Sequence, residues 1–245
     1  PKVSVIITYF KKKKFIKQTL NSILNQTYKN IEVIMIYDDP DKDDLKLIKN
    51  LINKFKKKRL VINKKNLGVA KSRNKALKFC NGYFLAFIDS DDIWKKNKLM
   101  KQVNFMLKFS KDFTYTSYDI INEKNKFLTQ RKVSGSAKYN ELIRSNYIGL
   151  STVVFNKRIY SKMKFPNLKT QEDFGLWLAL LRKGVSLTSI NLSLSAWRKT
   201  EKSLSTNTFQ KLKDAFKLFY IIENKNFIFS IFSVLILSYN KIIKD

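Results

Sequence analysis

Short apolar runs alternate with amphipathic segments through the first 90 residues. Because each run is brief and rich in branched side chains, the runs predict strands, at residues 3–7, 31–37, 60–63 and 83–88. Helical spacing between the runs predicts helices at residues 15–26, 44–55 and 69–80. Asp43 is the expected N-cap of the second helix. This alternation predicts an α/β fold with a mainly parallel central sheet and helices on both of its faces.

The pattern changes after residue 109, where it suggests an antiparallel excursion of the sheet. Strands are expected at residues 113–119, 126–133, 151–155 and 185–190, and a helix is expected at residues 172–182. We place the edge of the main domain near residue 200. Its halves cover about 1–110 and 111–200, and residues 201–245 form a C-terminal helical segment.

Missing residue types narrow the chemistry. The chain has no histidine, which excludes Ser-His-Asp and Cys-His nucleophilic sites and His-ligated zinc. Proton transfer is left to carboxylates, Lys or Tyr. The single Cys80 excludes an internal disulfide and a Cys-rich metal site, and it fits an intracellular compartment. No signal peptide opens the chain, since the first apolar run is too short, so we expect a cytoplasmic protein.

The net charge of +30 raises the alternative of a nucleic-acid-binding module. The excess is spread along the chain instead of being concentrated in an arm, so we expect lysine-rich solvated faces and no nucleic-acid partner. A sugar nucleotidyltransferase is a second alternative, but it needs a glycine-rich phosphate loop directly after the first strand. Residues 8–14 contain no glycine.

Acidic residues follow two predicted strands at the edge of the sheet where ligands of parallel α/β proteins bind. Three carboxylates lie within four residues in the sequence Asp89-Ser90-Asp91-Asp92. Hard divalent cations prefer such oxygen ligands together with substrate phosphates, which points to Mg²⁺ or Mn²⁺ on a nucleotide diphosphate. An Asp-rich turn that caps the next helix is the structural alternative.

The second acidic pair is Asp38 and Asp39. A carboxylate there could accept the imide N–H of uracil or thymine, or it could open the turn through Pro40. Further along the chain, Gly68 could let the backbone approach a ligand, and Arg73 could offer its guanidinium to a phosphate or a base. A loop glycine beside a solvated arginine is an equally good explanation of these two residues.

Together these motifs resemble the family 2 glycosyltransferases, which include bacterial O-antigen, capsule and lipopolysaccharide enzymes. The likeness covers about the first 200 residues, and its order and spacing make it specific. It runs through the segments 1–7, 22–32, 66–74 and 87–94, with a Glu-Asp motif at Glu172 and Asp173. The resemblance implies a GT-A fold, with a nucleotide-sugar half before an acceptor half. It also implies an inverting, metal-dependent transfer of a sugar, from a UDP- or dTDP-linked donor to a glycan or lipid-linked acceptor.

The resemblance also assigns roles to residues. Asp173 would be the catalytic base, with Glu172 beside it, and Asp91 with Asp89 would bind Mn²⁺ or Mg²⁺ on the diphosphate. The expected nucleotide-binding residues are Thr8, Phe10, Asp38, Asp39, Gly68, Arg73, Asp89, Ser90 and Arg198. Arg198 belongs to an aromatic-Arg segment that continues into the serines at 203 and 205. The chain departs from the family at Tyr37-Asp38-Asp39-Pro40, which leaves the identity of the nucleobase of the donor open.

The C-terminal segment is strongly apolar over residues 227–243. At 17 residues it would span about 25 Å, which is short of the roughly 20 residues that a membrane crossing needs. We therefore expect a helix that lies on the cytoplasmic face of an anionic membrane, helped by basic residues in the preceding helical stretch. A helix packed on the main domain or in a dimer interface is the alternative.

Overall fold

The computed structural model describes residues 1–201 and 207–244. In these ranges nine strands form one sheet. The strands are β1 (Val3–Tyr9), β2 (Ile31–Tyr37), β3 (Lys58–Ile62), β4 (Phe84–Phe87), β5 (Ile93–Trp94), β6 (Phe113–Ile121), β7 (Phe127–Arg131), β8 (Val154–Asn156) and β9 (Thr188–Arg198). The predicted strands are all present, with bounds shifted by a few residues. The short strand β5 and the second half of β9 were not predicted.

The helices of the described chain lie between and after the strands. They are α1 (Lys13–Leu24), α2 (Leu45–Ile52), α3 (Val69–Leu77), α4 (Lys98–Lys108), α5 (Tyr139–Leu142), α6 (Glu172–Arg182), α7 (Thr208–Lys217) and α8 (Phe227–Lys244). Two 3₁₀ turns cover Leu150–Thr152 and Lys157–Lys162, and a π-helical turn covers Leu218–Ile222. Within the described ranges, no helix combines the length and the apolar character that a membrane crossing requires.

The sheet is parallel in its first half and mixed in its second. Its order is β3-β2-β1-β4-β8-β6-β9-β5, with β7 paired to β6. β1 pairs in parallel with β2 and β4, and β2 pairs in parallel with β3. β8 runs antiparallel to β4 and β6, after which β6 and β9 are parallel again. This arrangement confirms the predicted α/β fold and places the expected excursion after β4.

Side chains alternate between two apolar cores, one on each face of the sheet. Val5 and Ile7 of β1 pack with the helices α1, α2 and α4 in one core. Ile6 of the same strand packs in the other core with α3 and α6. Since successive side chains of a strand point to opposite faces, a continuous apolar run is the pattern that a sheet covered on both sides requires.

Two local predictions were wrong. The N-cap of α2 is Asp44 and not Asp43, and the Asp44 carboxylate makes no cap bond because it accepts hydrogen bonds from the Tyr9 hydroxyl and the Lys13 ammonium. The expected strand at 151–155 begins instead as the 3₁₀ turn Leu150–Thr152. The Ser151 hydroxyl in that turn donates to Asp92, a contact that an extended strand would not make at this position.

The C-terminal helices extend the core of the main domain. Leu218 and Phe219, which follow α7, are fully buried in the same core as α6. Gly175 of α6 permits this packing, since a Cβ there would lie 2.7 Å from Pro166 and 3.0 Å from Leu218. The packing therefore continues past the domain edge that the sequence places near residue 200, and that edge stays a prediction.

Candidate active site

The carboxyl ends of β1, β2 and β4 meet at one edge of the sheet and bring the predicted polar residues together. Asp38 follows β2, and Asp89 follows β4. The buried Arg73 reaches the same edge from α3. Of the residues singled out in the sequence, Asp89 and Asp173 line one cavity, and Arg73 contacts Asp89 from α3.

Arg73 joins the two halves of the chain through a buried ion triad. Its guanidinium donates to Asp89 Oδ1 at 2.7 Å and, through its other terminal nitrogen, to Glu172 Oε1. The guanidinium carbon also lies 5.5 Å from the centre of the Phe165 ring. The planar fork of an arginine suits two carboxylates at once. Arg73 thus fixes the start of α6 beside the end of β4.

The predicted base, Asp173, lies in the first turn of α6 beside Glu172. The turn before the helix is strained, because Gln171 has φ 60° in the left-handed region. Asp173 Oδ1 accepts the N–H of Phe174 at 2.7 Å, and the side chain lines the cleft. Burial and then the neighbouring Glu172 carboxylate raise the pKa of Asp173 to about 7. A carboxylate with that pKa is suited to take a proton near neutral pH.

The predicted metal residues, Asp91 and Asp89, each contact a basic side chain. Asp91 Oδ2 lies 2.7 Å from Lys12 Nζ, and its side chain is 15% exposed. The Asp89 side chain is 34% exposed and contacts Arg73. Burial raises the pKa of the Asp91 carboxyl, and Lys12 opposes that shift. Within the described chain, no three Asp, Glu or Cys side chains converge into a preformed metal cluster.

Asp92 and Ser151 hold the backbone of this acidic turn. The Ser151 hydroxyl donates to Asp92 Oδ2 at 2.5 Å and accepts the N–H of Asp89 at 3.0 Å. Asp92 Oδ1 accepts the N–H of Arg198 at 3.0 Å. The carbonyls of Asp92 and of the buried Ser90 both accept from the hydroxyl of Thr19. The turn that presents Asp89 and Asp91 is therefore fixed from three directions.

Asp38 is buried and fixes the loop before α3. Its carboxylate accepts the N–H groups of Leu67 and Gly68 at 2.9 and 3.0 Å and the amide of Asn63 at 2.7 Å. Gly68 has φ 81°, a conformation that glycine adopts without steric cost. In the structure Asp38 therefore holds the loop that carries Gly68, and the contact of both residues with a nucleotide stays a prediction.

Other expected nucleotide-binding residues differ in exposure. Thr8 is half-buried near the end of β1, and Phe10 beyond it is 42% exposed, with Lys11 Nζ 5.6 Å from the centre of its ring. Asp39 is buried and accepts the N–H of Asp41 at 3.3 Å. The contact of these residues with a nucleotide stays a prediction.

Arg198 is buried, and its guanidinium donates hydrogen bonds to other residues of the chain. It donates to the Asp91 carbonyl at 2.8 Å, to Gln18 at 2.9 Å and to Asn125 at 2.6 Å. Its guanidinium carbon lies 4.7 Å from the centre of the Phe15 ring. In the structure it ties the acidic turn to the loop after β6, and its expected contact with the nucleotide stays a prediction. The serines at 203 and 205 lie outside the described residues.

A cavity of about 1090 Å³ extends from Asp89 and Asp173 through the second half of the chain. The β6–β7 hairpin, residues 145–152, the end of β9 and the C-terminal helices line it. This is the half that the sequence assigned to the acceptor. The cavity is large enough for a sugar substituent, since ligand pockets commonly measure about 300 to 1,000 Å³.

Sequence reasoning missed several residues of this site. Lys12 belongs to a run of four lysines in which spacing does not show the one that faces Asp91. Ser151 acts through a contact with the distant Asp92, which the sequence placed in the acidic cluster without showing this partner. Asp214 accepts from the N–H and hydroxyl of Thr170, just before α6, both at 2.9 Å.

Comparison with known proteins identifies the family. The family model described as Glycosyl transferase family 2 matches residues 4–168. The Escherichia coli protein WfaP, a UDP-Glc:alpha-D-GlcNAc-diphosphoundecaprenol beta-1,3-glucosyltransferase, is 37% identical over 213 residues, or 86% of this chain and 82% of WfaP. WfgD of Escherichia coli, which carries the same description, is 35% identical over 216 residues, or 86% of this chain and 82% of WfgD.

The fold has a solved counterpart. The crystal structure of residues 1–349 of S. aureus TarS in complex with UDP-GlcNAc superimposes with a TM-score of 0.74 at 21% identity. The match covers 91% of this chain and 65%, less than two thirds, of that TarS chain. The likeness confirms the GT-A fold that the sequence predicted. The matched family model, the relatives and the arrangement of the cleft agree that the chain belongs to glycosyl transferase family 2.

Proposed function

We propose that the chain is an inverting glycosyltransferase, which moves a sugar from a UDP- or dTDP-linked donor to a hydroxyl of a lipid-linked saccharide in cell-surface polysaccharide biosynthesis. The observation that carries this proposal is the Arg73 triad, which places the Asp173 carboxylate in one cleft with the Asp89 to Asp91 turn. A base on one side of the reacting carbon and a diphosphate on the other are what inversion requires. Relatives described as acting on a diphosphoundecaprenol-linked sugar support the acceptor class.

In this proposal Asp173 removes the proton of the acceptor hydroxyl as that oxygen attacks the anomeric carbon. The bond from this carbon to the diphosphate breaks on the opposite face, and the nucleoside diphosphate leaves. The pKa of Asp173, raised to about 7, keeps the base strong enough to accept the proton. Glu172 neutralises part of the Arg73 charge, so that this guanidinium does not neutralise the base.

We propose that Asp91, with Asp89 beside it, would hold Mn²⁺ or Mg²⁺ when a donor diphosphate is bound. Two carboxylates at the rim of the cleft match the oxygen ligands that these cations take, provided that phosphate oxygens complete the shell. Lys12 must leave Asp91 for the cation to bind. When bound, the cation would neutralise charge on the leaving diphosphate.

Titration calorimetry with UDP and Mn²⁺ tests the donor side. The two should bind cooperatively to the wild type, because Asp91 and Asp89 alone provide few ligands. Asp91→Ala should lose both, whereas Asp43→Ala, an exposed aspartate outside the cleft, should bind like the wild type. Tight Mn²⁺ binding by Asp91→Ala in the presence of UDP would place the cation elsewhere. A panel of nucleotide sugars, screened for donor hydrolysis, then identifies the sugar and the base.

We further propose that α8 docks the enzyme on the inner face of the cytoplasmic membrane. The burial pattern of this helix is inverted compared with that of a surface helix of a soluble protein. Its small polar side chains Ser230 and Ser233 are buried, and its large apolar side chains are exposed. The outward stripe contains Ile228, Phe232, Leu235 and Tyr239, each more than half exposed. This spacing of three and four residues places the four on one face of the helix.

Charge complementarity favours an anionic lipid surface as the occupant of this face. The exposed Lys213 and Lys217 of α7 precede α8 in the chain, and α7 contacts α8. Exposed Ile221 and Phe209 extend the apolar patch on the same C-terminal unit. Basic residues next to an apolar face are the combination that holds helices at anionic membranes.

Flotation with phosphatidylglycerol liposomes at low salt tests the docking. The wild type should float, and Phe232→Ser with Leu235→Ser should not. Leu107→Ser, on the exposed face of α4, is the matched control and should float. Truncation after Glu223 should also abolish flotation while donor hydrolysis persists. If the double variant floats like the wild type, or the intact chain does not bind the liposomes, the proposed membrane docking is wrong.

A further inference from the structure

We propose that Lys211 and Arg131 bind the phosphate groups of a lipid-linked diphosphate acceptor. This inference rests on the proposed transfer to a lipid-linked saccharide, and it assigns the part of the acceptor that lies beyond the reacting sugar. Lys211 lies on α7, beyond the residues 4–168 that the family model matches, whereas Arg131 lies within them, at the end of β7.

The cavity connects the base to the inverted helix. Gln171 and Asp173 line it at the start of α6, and Leu237 and Asn240 line it from α8. Asn240 also donates to the Arg144 carbonyl at 2.9 Å, which fixes α8 against the loop that lines the same cavity. An acceptor whose sugar hydroxyl reaches Asp173 therefore has the α8 end of the cavity for its remaining groups.

Burial separates two of the basic side chains that line this cavity from the rest. In the described chain the basic lining residues are Lys14, Lys124, Arg131, Lys199 and Lys211. Lys14, Lys124 and Lys199 are exposed, whereas Arg131 and Lys211 are half-buried. A partly buried cation is screened less by water, so it contributes more to binding an anion than an exposed one does.

Lys211 and Arg131 line the cavity from different elements, α7 and β7. The Lys211 carbonyl accepts the side-chain amide of Gln171 at 3.0 Å, which fixes α7 next to the turn that carries Asp173. Arg131 is paired across β6 with Tyr118, which also lines the cavity. Cations on two elements suit a diphosphate, because the arginine fork can take two oxygens and the lysine a third.

The lipid part of the acceptor has a matching surface beside this end of the cavity. Leu237 and Asn240 face the cavity, while Phe232, Leu235 and Tyr239 lie on the outward face of the same helix. Within about two turns, α8 therefore contributes both to the wall of the cavity and to an exposed apolar surface. A chain attached to the diphosphate can leave the cavity along α8 and enter the lipid that covers its outer face.

Farnesyl diphosphate, below its micelle concentration, is the probe for this site. Calorimetry with the full chain in saturating UDP and Mn²⁺ keeps the donor site occupied. The wild type should bind the probe, and Lys211→Gln and Arg131→Gln should each weaken binding by about tenfold, as the loss of one charge-assisted contact predicts. Lys211→Arg should retain most of the affinity. Lys101→Gln, an exposed lysine of α4, is the matched control and should bind like the wild type.

Two further ligands separate the sources of the phosphate. Farnesol should bind weakly and without any effect of Lys211→Gln, and inorganic pyrophosphate should bind more weakly than the lipid diphosphate. Pyrophosphate binding as tight as that of the probe would show a free-phosphate site and overturn the lipid assignment. Unchanged affinity of Lys211→Gln and Arg131→Gln for the probe would overturn the site itself.

UDP titration of each variant shows that it is folded and keeps the two proposals apart. If the wild type binds neither UDP nor a nucleotide sugar, the proposed transfer fails, and the probe titration without UDP still reports on the cavity. If donor binding is normal and the probe ignores both substitutions, the acceptor site alone is wrong.

Discussion

The carboxylates on the two sides of the cleft are neutralised differently. On the donor side, Asp89 contacts Arg73 and Asp91 contacts Lys12. On the acceptor side, Glu172 takes the second half of the Arg73 fork, and Asp173 accepts a backbone N–H beside it. In the proposed mechanism the same residue type meets a cation on one side and accepts a proton on the other.

The two sides also differ in what holds them. The acidic turn after β4 is held by residues of the main domain, such as Thr19 and Ser151. The turn before the base is held by α7, through Asp214 and the Lys211 carbonyl. The proposed base, Asp173, therefore follows a turn that is held by a C-terminal helix outside the matched family segment.

The largest expected effect comes from removing the base. Asp173→Asn should reduce transfer by about 10² to 10⁴, the usual contribution of a general base, while UDP binding stays near that of the wild type. Single-turnover kinetics with the identified donor and calorimetry with UDP measure the two quantities. Turnover like that of the wild type would move the base to another group, and Glu172 would be tested next. Loss of UDP binding would instead show that Asp173 also contributes to the donor side of the cleft.

Removing the C-terminal support should act mainly on stability. Asp214→Ala leaves the buried N–H and hydroxyl of Thr170 without their acceptor, at a cost of about 2–4 kcal/mol in the free energy of unfolding. In a chain of this length that lowers the melting temperature by roughly 4 to 16 °C. The transfer rate should fall more than the UDP affinity does. Asp43→Ala is the control, and an unchanged melting temperature would show that α7 does not support the base.

The pH dependence should separate Asp173 from Glu172. With the pKa of Asp173 at about 7, kcat/KM should fall about tenfold per pH unit below pH 7, since the protonated carboxyl cannot act as a base. Glu172→Gln removes the like charge that raises this pKa, so its acid limb should move to lower pH. A limb that stays in place in Glu172→Gln would assign the pH dependence to a different group.

The smallest expected effect is a gain in stability. A carboxyl whose pKa is raised from 3.8 to about 7 on folding stabilises the fold at low pH, and this contribution is lost as pH rises through 7. Asp173→Asn should therefore raise the melting temperature relative to the wild type at pH 8 and less so at pH 5. A melting temperature lowered at pH 8 would show that the charged base contributes to stability.

Local sequence patterns predicted the strands and helices whose formation depends on neighbouring residues. The apolar run of β2 and the start and end of α6 lie where the sequence placed them, because periodicity and terminal acids act over a few residues. β5 is two residues long and forms only through pairing with β9, so no period marks it. Candidate residues at strand ends were found because topology brings strand ends together.

The contacts that organise the site join distant segments and could not be read from spacing. Arg73 and Glu172 are 99 residues apart, and Thr170 and Asp214 are 44 residues apart. A single sequence shows that these groups exist and gives no sign of their partners. The sequence predicted an apolar helix that lies on a membrane surface, but it did not show that Ser230 and Ser233 of this helix are buried against the remainder of the chain.

The Arg73 triad limits the substitutions that this protein can tolerate, in evolution or in protein engineering. Its guanidinium serves Asp89 in one half of the chain and Glu172 in the other, and it is buried. Replacing Arg73 alone leaves the buried Glu172 carboxylate without its counter-charge, and removing one partner of a buried pair typically costs about 3 to 5 kcal/mol. A variant library that varies position 73 by itself should therefore return mostly inactive clones. Neutral substitutions at position 73 require a compensating substitution at Glu172.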